Sequence, residues 1–144
     1  MESLSATLIQ DHHRCDEIFA RAEERVAQAD WAQAERDFSE FARTMEHHFS
    51  FEEQKLFPAF EDITGNRRGP TLVMRLEHEQ MRTLFHDMQE RIRRQDAGGY
   101  LGQSETLLIL MQQHNIKEEH MLYRMAEQAL GDKGPALAAR LRQS

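Results

Sequence analysis

The sequence predicts an all-α protein, an up-down-up-down antiparallel bundle of four helices, on three observations. Four long segments place apolar residues at alternating steps of three and four, the pattern of helices packed at a shallow angle. Helix breakers are scarce, with 7 Gly and 3 Pro in 144 residues, and β-branched residues are few. The connections between segments are short, which makes consecutive helices antiparallel neighbours. The length suits one domain, residues 1–144, and is enough to bury a core without disulfides.

The first helix is expected over about residues 4–28, with Leu8, His12, Cys15, Phe19, Ala22 and Val26 on one stripe. The second, about 31–61, follows an N-cap at Asp30 and carries Phe38, Phe41, Met45, His48, Glu52, Leu56 and Phe60. Thr64, Gly65, Asn66 and Gly69 then break the chain, and Pro70 suits a first helical turn. The third helix, about 70–96, presents Met74, His78, Met81, Phe85, Met88 and Ile92. Ala97, Gly98, Gly99 and Gly102 are expected to form a loop. The fourth helix, about 103–130, presents Leu107, Met111, His114, Glu118, Met121 and Met125, and Gly131 ends it. A short tail helix is expected around residues 135–142.

Each apolar seam contains a histidine, and two contain a glutamate. These are poor core residues, and a buried unpaired carboxylate costs several kcal/mol, so something must compensate them. His48 and Glu52 stand four apart, as do His114 and Glu118, so each pair projects from one helix face. An offset of 66 residues carries His12, His48 and Glu52 onto His78, His114 and Glu118. The same offset carries His13 onto Glu79 and His47 onto Gln113, so those two histidines belong outside the set. His12 and His78 each lie about 8 residues inside their helix, and Glu52 and Glu118 about 9 and 12 residues before their helix ends, roughly 12–18 Å from one end of the bundle.

All six groups therefore meet at one level, which makes His12, His48, Glu52, His78, His114 and Glu118 the candidate metal ligands. Four imidazoles and two carboxylates suit first-row transition metals rather than Ca²⁺ or Mg²⁺. Two glutamates can bridge two ions, with two histidines completing each. A bridging oxo or hydroxo group leaves a coordination position for a small ligand.

Other features are ordinary. The net charge of −7 argues against nucleic-acid or anionic-membrane partners. Arg91, Arg93 and Arg94 sit where they compensate a helix dipole. A single cysteine, Cys15, excludes a disulfide framework and a Cys-ligated zinc site, and it is expected to be a packed, inert thiol. Met1 to Arg14 lack the pattern of a signal peptide, and no segment is apolar enough to span a bilayer, so a cytoplasmic location is expected. His78-Glu79-Gln80-Met81-Arg82 begins like a zinc-protease helix, but Arg82 replaces the second histidine. No histidine has a glutamate three residues before it, as ferritin-type bundles require. His86 and His120 fall off the stripes and are expected in solvent. Met45, Met74, Met81, Met111 and Met121 are expected to fill the core beside the ligands.

Asp11-His12 followed by Cys15 and Phe19, His48-Phe49-Ser50-Phe51-Glu52-Glu53-Gln54-Lys55-Leu56-Phe57-Pro58, Glu77-His78, and His114-Asn115-Ile116-Lys117-Glu118-Glu119 resemble the hemerythrin-like (HHE cation-binding) domain. The resemblance covers about residues 4–130. It implies a four-helix bundle with a non-haem di-iron centre, that is, two iron ions, with Mn or Zn able to substitute. Members of that family bind or sense O2, respond to NO, or help to repair iron–sulfur centres.

Two departures stand out. Oxygen-carrying hemerythrins pair two histidines four apart on the third helix, where this chain has Met74 and Arg82 around His78. They also end the set with an aspartate five residues after the last histidine, where this chain has Glu118 after four. The four-His, two-Glu set is more similar to the repair-of-iron-centres proteins, which carry an additional cysteine-containing domain. The resemblance thus implies a protein that binds or reacts with O2, NO or H2O2 in redox or stress response. The alternatives are an iron donor to damaged iron–sulfur clusters and a peroxide-reducing enzyme. A homodimer is left open.

Overall fold

The computed structural model describes residues 2–143, so the ends of the expected 1–144 domain, Met1 and Ser144, lie outside the described residues. The described residues are helical almost throughout. Helix α1 spans Leu4–Ala27 and α2 spans Trp31–Phe51. A π turn, Glu52–Leu56, joins α2 to α3, Phe57–Thr64. Helix α4 covers Pro70–Arg93 and α5 covers Ala97–Lys117. A second π turn, Glu118–Leu122, leads into α6, Tyr123–Leu130, and α7 covers Lys133–Gln143. Helix α1 packs on α2, α4 on α5, α2 on α4 and α1 on α5, while α7 lies against α1.

Local chemistry explains the boundaries. The Ser3 side chain caps α1 by accepting from the Ala6 amide at 3.1 Å, and Asp30 caps α2 by accepting from Gln33. Gly65, at φ 71°, ends α3 in the left-handed conformation that a side chain resists. The 66-residue offset reaches the backbone as well. Ala29 and Gln95 both take positive φ, 58° and 55°, and each is followed by an aspartate N-cap, Asp30 and Asp96.

That recurrence corrects the expected loop at 97–102. Helix α5 begins at Ala97, so Gly98, Gly99 and Gly102 are helical. Glycine costs about 1 kcal/mol relative to alanine in a helix interior, but two features offset it. The Asp96 carboxylate accepts from the Gly99 amide at 3.0 Å, and a Cβ at Gly99 would collide with that carboxylate. Tyr100 is fully buried with its ring edge-on to Phe38.

The second correction concerns the fourth stripe. Met121 and Met125, expected in the core, are 58% and 42% exposed. The π turn carries one extra residue per turn, because the Tyr123 amide bonds the Glu118 carbonyl five residues back. It rotates the following face, so that Leu122, Tyr123, Ala126 and Leu130 are buried instead. The first π turn does the same for Leu56, Phe57 and Phe60, and there Pro58 has no amide to give to an α-helical bond. Met45, Met74, Met81 and Met111 are buried as expected.

The apolar core falls into two clusters. One gathers Cys15, Phe19, Phe38, Phe41, Met45, Phe85, Met88, Tyr100 and Met111. The other gathers Leu4, Leu8, Leu56, Phe57, Phe60, Met74, Leu122, Tyr123 and Leu130. Each seam histidine lies between them: His12 between Leu8 and Cys15, His78 between Met74 and Met81, and likewise for His48 and His114. A polar layer thus lies between the two apolar clusters.

Candidate metal centre

The six side chains singled out in the sequence converge in that layer, and all are at most 5% exposed. His78 and His114 face each other with ring centroids 4.9 Å apart, and His12 and His48 with centroids 4.7 Å apart. Glu52 reaches both pairs, with one oxygen 3.1 Å from His78 Nε2 and the other 3.4 Å from His48 Nε2. Glu118 Oε1 lies 3.1 Å from His12 Nε2 and 3.3 Å from His114 Nε2. Two groups could therefore hold a metal ion: Glu52, His78, His114 and Glu118, and His12, His48 and Glu118, with ligand atoms within 4.8 Å of one another.

Behind each imidazole stands a carboxylate. His12 Nδ1 lies 2.7 Å from Glu119, His48 Nδ1 2.6 Å from Asp11, His78 Nδ1 2.7 Å from Glu53, and His114 Nδ1 2.8 Å from Glu77. These acids follow the same offset, Asp11 onto Glu77 and Glu53 onto Glu119. The His114 bond, helped by Lys117, holds the Glu77 carboxyl down at about 2. Burial alone would raise Glu53, but its bonds to His78 and Arg82 lower it. An ionised carboxylate only accepts, so each Nδ1 carries a proton and donates it. Each Nε2 is thereby turned toward the centre, the arrangement that orients histidine ligands in metal sites.

Burial pulls the imidazoles down, but the facing carboxylates outweigh it. Glu118 and Glu77 raise His114 to about 10, and Glu52 with Asp11 raises His48 well above its ordinary value. Without a metal, protons compensate the buried glutamates. Glu118 is likewise driven well below the usual carboxylate range by His114, against the effect of burial.

Hydrogen bonding in the layer is incomplete on one side. Glu52 Oε1, His78 Nε2, His114 Nε2 and Glu118 Oε2 are buried and make no well-aligned hydrogen bond, although Glu52 Oε1 lies 3.1 Å from His78 Nε2 and Glu118 Oε1 3.3 Å from His114 Nε2. Buried polar atoms in native proteins are rarely left so, and each costs about 1–3 kcal/mol. Four such atoms of ligand type in one group fit a first-row cation. On the other side, the hydroxyl of Tyr123 lies 2.7 Å from Glu52 Oε2, 2.9 Å from Glu118 Oε1, 3.1 Å from His12 Nε2 and 3.3 Å from His48 Nε2.

Sequence reasoning missed Tyr123 and assigned no role to Asp11, Glu53, Glu77 and Glu119. The 66-residue offset was a usable signal for all of them, since it carries Phe57 onto Tyr123. Of the remaining histidines, His13, His86 and His120 are exposed. His47 lies at the flank, with Nε2 3.1 Å from the Leu141 carbonyl oxygen. Cys15 is buried, and burial pushes its thiol up, as an inert thiol requires. No helix among the described residues is long and apolar enough to cross a membrane.

The family model of the hemerythrin HHE cation binding domain matches residues 3–137. No curated protein and no solved structure matches the chain.

Proposed function

Since the chain belongs to the hemerythrin HHE cation-binding family, we propose that it is a non-haem di-iron protein that binds or reacts with O2, NO or H2O2 in redox or stress response. In this reading the four long helical runs form an up-down-up-down antiparallel bundle around two ions. His78 and His114 hold one ion and His12 and His48 the other, with Glu52 and Glu118 bridging. The observation that carries the reading is the group of four ligand atoms, two nitrogens and two oxygens, that make no well-aligned hydrogen bond in a buried layer. When bound, iron supplies one-electron redox chemistry and coordination positions that a small molecule can take.

The protein's own groups do the rest. Asp11, Glu53, Glu77 and Glu119 fix the imidazoles with Nε2 inward and balance positive charge. Phe49 stacks on His78 at 3.9 Å between centroids, and Phe57 lies 5.9 Å from the same ring, which keeps water from that side. Burial of all six ligands favours a diatomic or a peroxide over a large substrate.

Anaerobic loading with Fe(II), followed by rapid mixing with O2, NO and H2O2 under optical detection, tests the proposal. A stable adduct supports binding, and repeated consumption of peroxide supports the peroxide-reducing alternative. Transfer of iron to a cluster-depleted acceptor supports the donor alternative. Failure to take up iron would sink all three.

A further inference from the structure

Tyr123 is fully buried, and its single hydroxyl touches two carboxylate oxygens and two imidazole nitrogens. As a hydrogen-bond network this is overcrowded. A phenol has one proton to donate, yet Glu52 Oε2 and Glu118 Oε1 both lie within donor distance, at 2.7 and 2.9 Å. As the edge of a coordination shell it is ordinary. Ligand atoms about 2.1 Å from an ion and at right angles to one another lie about 3.0 Å apart. The four separations, 2.7 to 3.3 Å, bracket that spacing.

The π turn explains how the oxygen arrives there. Tyr123 follows Glu118 by five residues and bonds its carbonyl, which brings the ring back to the inner face. Phe57 occupies the matching place after the first π turn, equally buried but without an oxygen. The two halves of the layer therefore match in the identity of their histidines and glutamates and differ here in one oxygen atom.

We infer that Tyr123 Oη is a further protein ligand of the ion held by His12 and His48. The inference rests on the two-metal reading above. On ligation the metal–Oη bond replaces the O–H bond, and the proton leaves to solvent. The two ions are then inequivalent. The one beside Tyr123 would have a protein oxygen that the one beside Phe57 lacks, so the Phe57 side would be the one with room for a small molecule.

The full chain, loaded with iron and oxidised in air, tests this by metal analysis and resonance Raman spectroscopy. The expected result is a visible tyrosinate-to-iron(III) band whose Raman ring modes shift when the protein contains ring-deuterated tyrosine. Tyr123→Phe should lose the band and retain iron, and Phe57→Tyr should add a second set of modes. Iron uptake with no tyrosinate modes would overturn the inference and leave the two-metal reading standing. Modes that persist in Tyr123→Phe would assign the band to Tyr100 and overturn it equally. Failure to take up iron would overturn both.

Discussion

The His12/His48 half and the His78/His114 half of the centre use the same residue types at a constant offset, yet their surroundings differ. On the first side Tyr123 meets the nitrogens and carboxylates; on the second, Phe57 brings no polar group, and four buried polar atoms make no well-aligned hydrogen bond. The second side is also more tightly held. Arg82 reaches both oxygens of Glu53 at 3.0 and 2.9 Å, whereas the offset puts Asp16 opposite Arg82. Lys117 pairs with Glu77 behind His114. The repeated helix pair places the same histidine and glutamate frame twice, and in the proposed reading single residue differences within it set the two halves apart.

The largest expected effect removes what the halves share. Glu118 belongs to both candidate groups, so Glu118→Gln should lose both ions. Its melting temperature in iron should fall to that of chelated wild type. Metal present at a thousandfold over its dissociation constant contributes about 4 kcal/mol. Retention of both ions would remove Glu118 from the bridge.

A smaller effect separates the halves. His78→Gln leaves its side with one imidazole and the carboxylates, whereas His12→Gln leaves Tyr123 in place as well. Iron should fall to about one equivalent in His78→Gln and stay higher in His12→Gln, the loss of a single ligand being partial where others remain. Equal losses would mean that Tyr123 contributes nothing to holding metal.

The pH dependence is gentler still. His114 stands near 10 in the metal-free protein, above the ordinary 6.5. A raised value means that its ion pairs stabilise the fold fully below about pH 6.5, and that this contribution fades as pH rises through about 10. Metal displaces those protons, so affinity should rise over the same range. Thermal melts between pH 6 and 10 should show chelated protein losing stability that iron-loaded protein keeps. Parallel curves would contradict the exchange of protons for metal.

Much of this was legible in the sequence, for physical reasons. Histidine and glutamate in an apolar seam are costly enough to stand out, and the 66-residue repeat separated His12 from His13 and His48 from His47. The rest follows from a register change that the sequence pattern does not show. Steps of three and four beyond Glu118 select Met121 and Met125, but a π turn inserts a residue and buries Leu122 and Tyr123. Glycines at 98, 99 and 102 looked like a loop because local propensity ignores the Asp96 cap and the buried Tyr100. In both places the offset held the answer, through Phe57 for Tyr123 and Asp30 for Asp96. The smallest expected effect tests that logic. His13→Gln, at an exposed position, should leave iron content unchanged and stability within about 0.5 kcal/mol.

The most direct test of the whole account is the number of iron ions per chain after anaerobic loading and removal of excess metal. Two histidine pairs bridged by two glutamates should retain about two equivalents, as other two-metal sites do. A reproducible single equivalent, with one histidine pair left free, would contradict it.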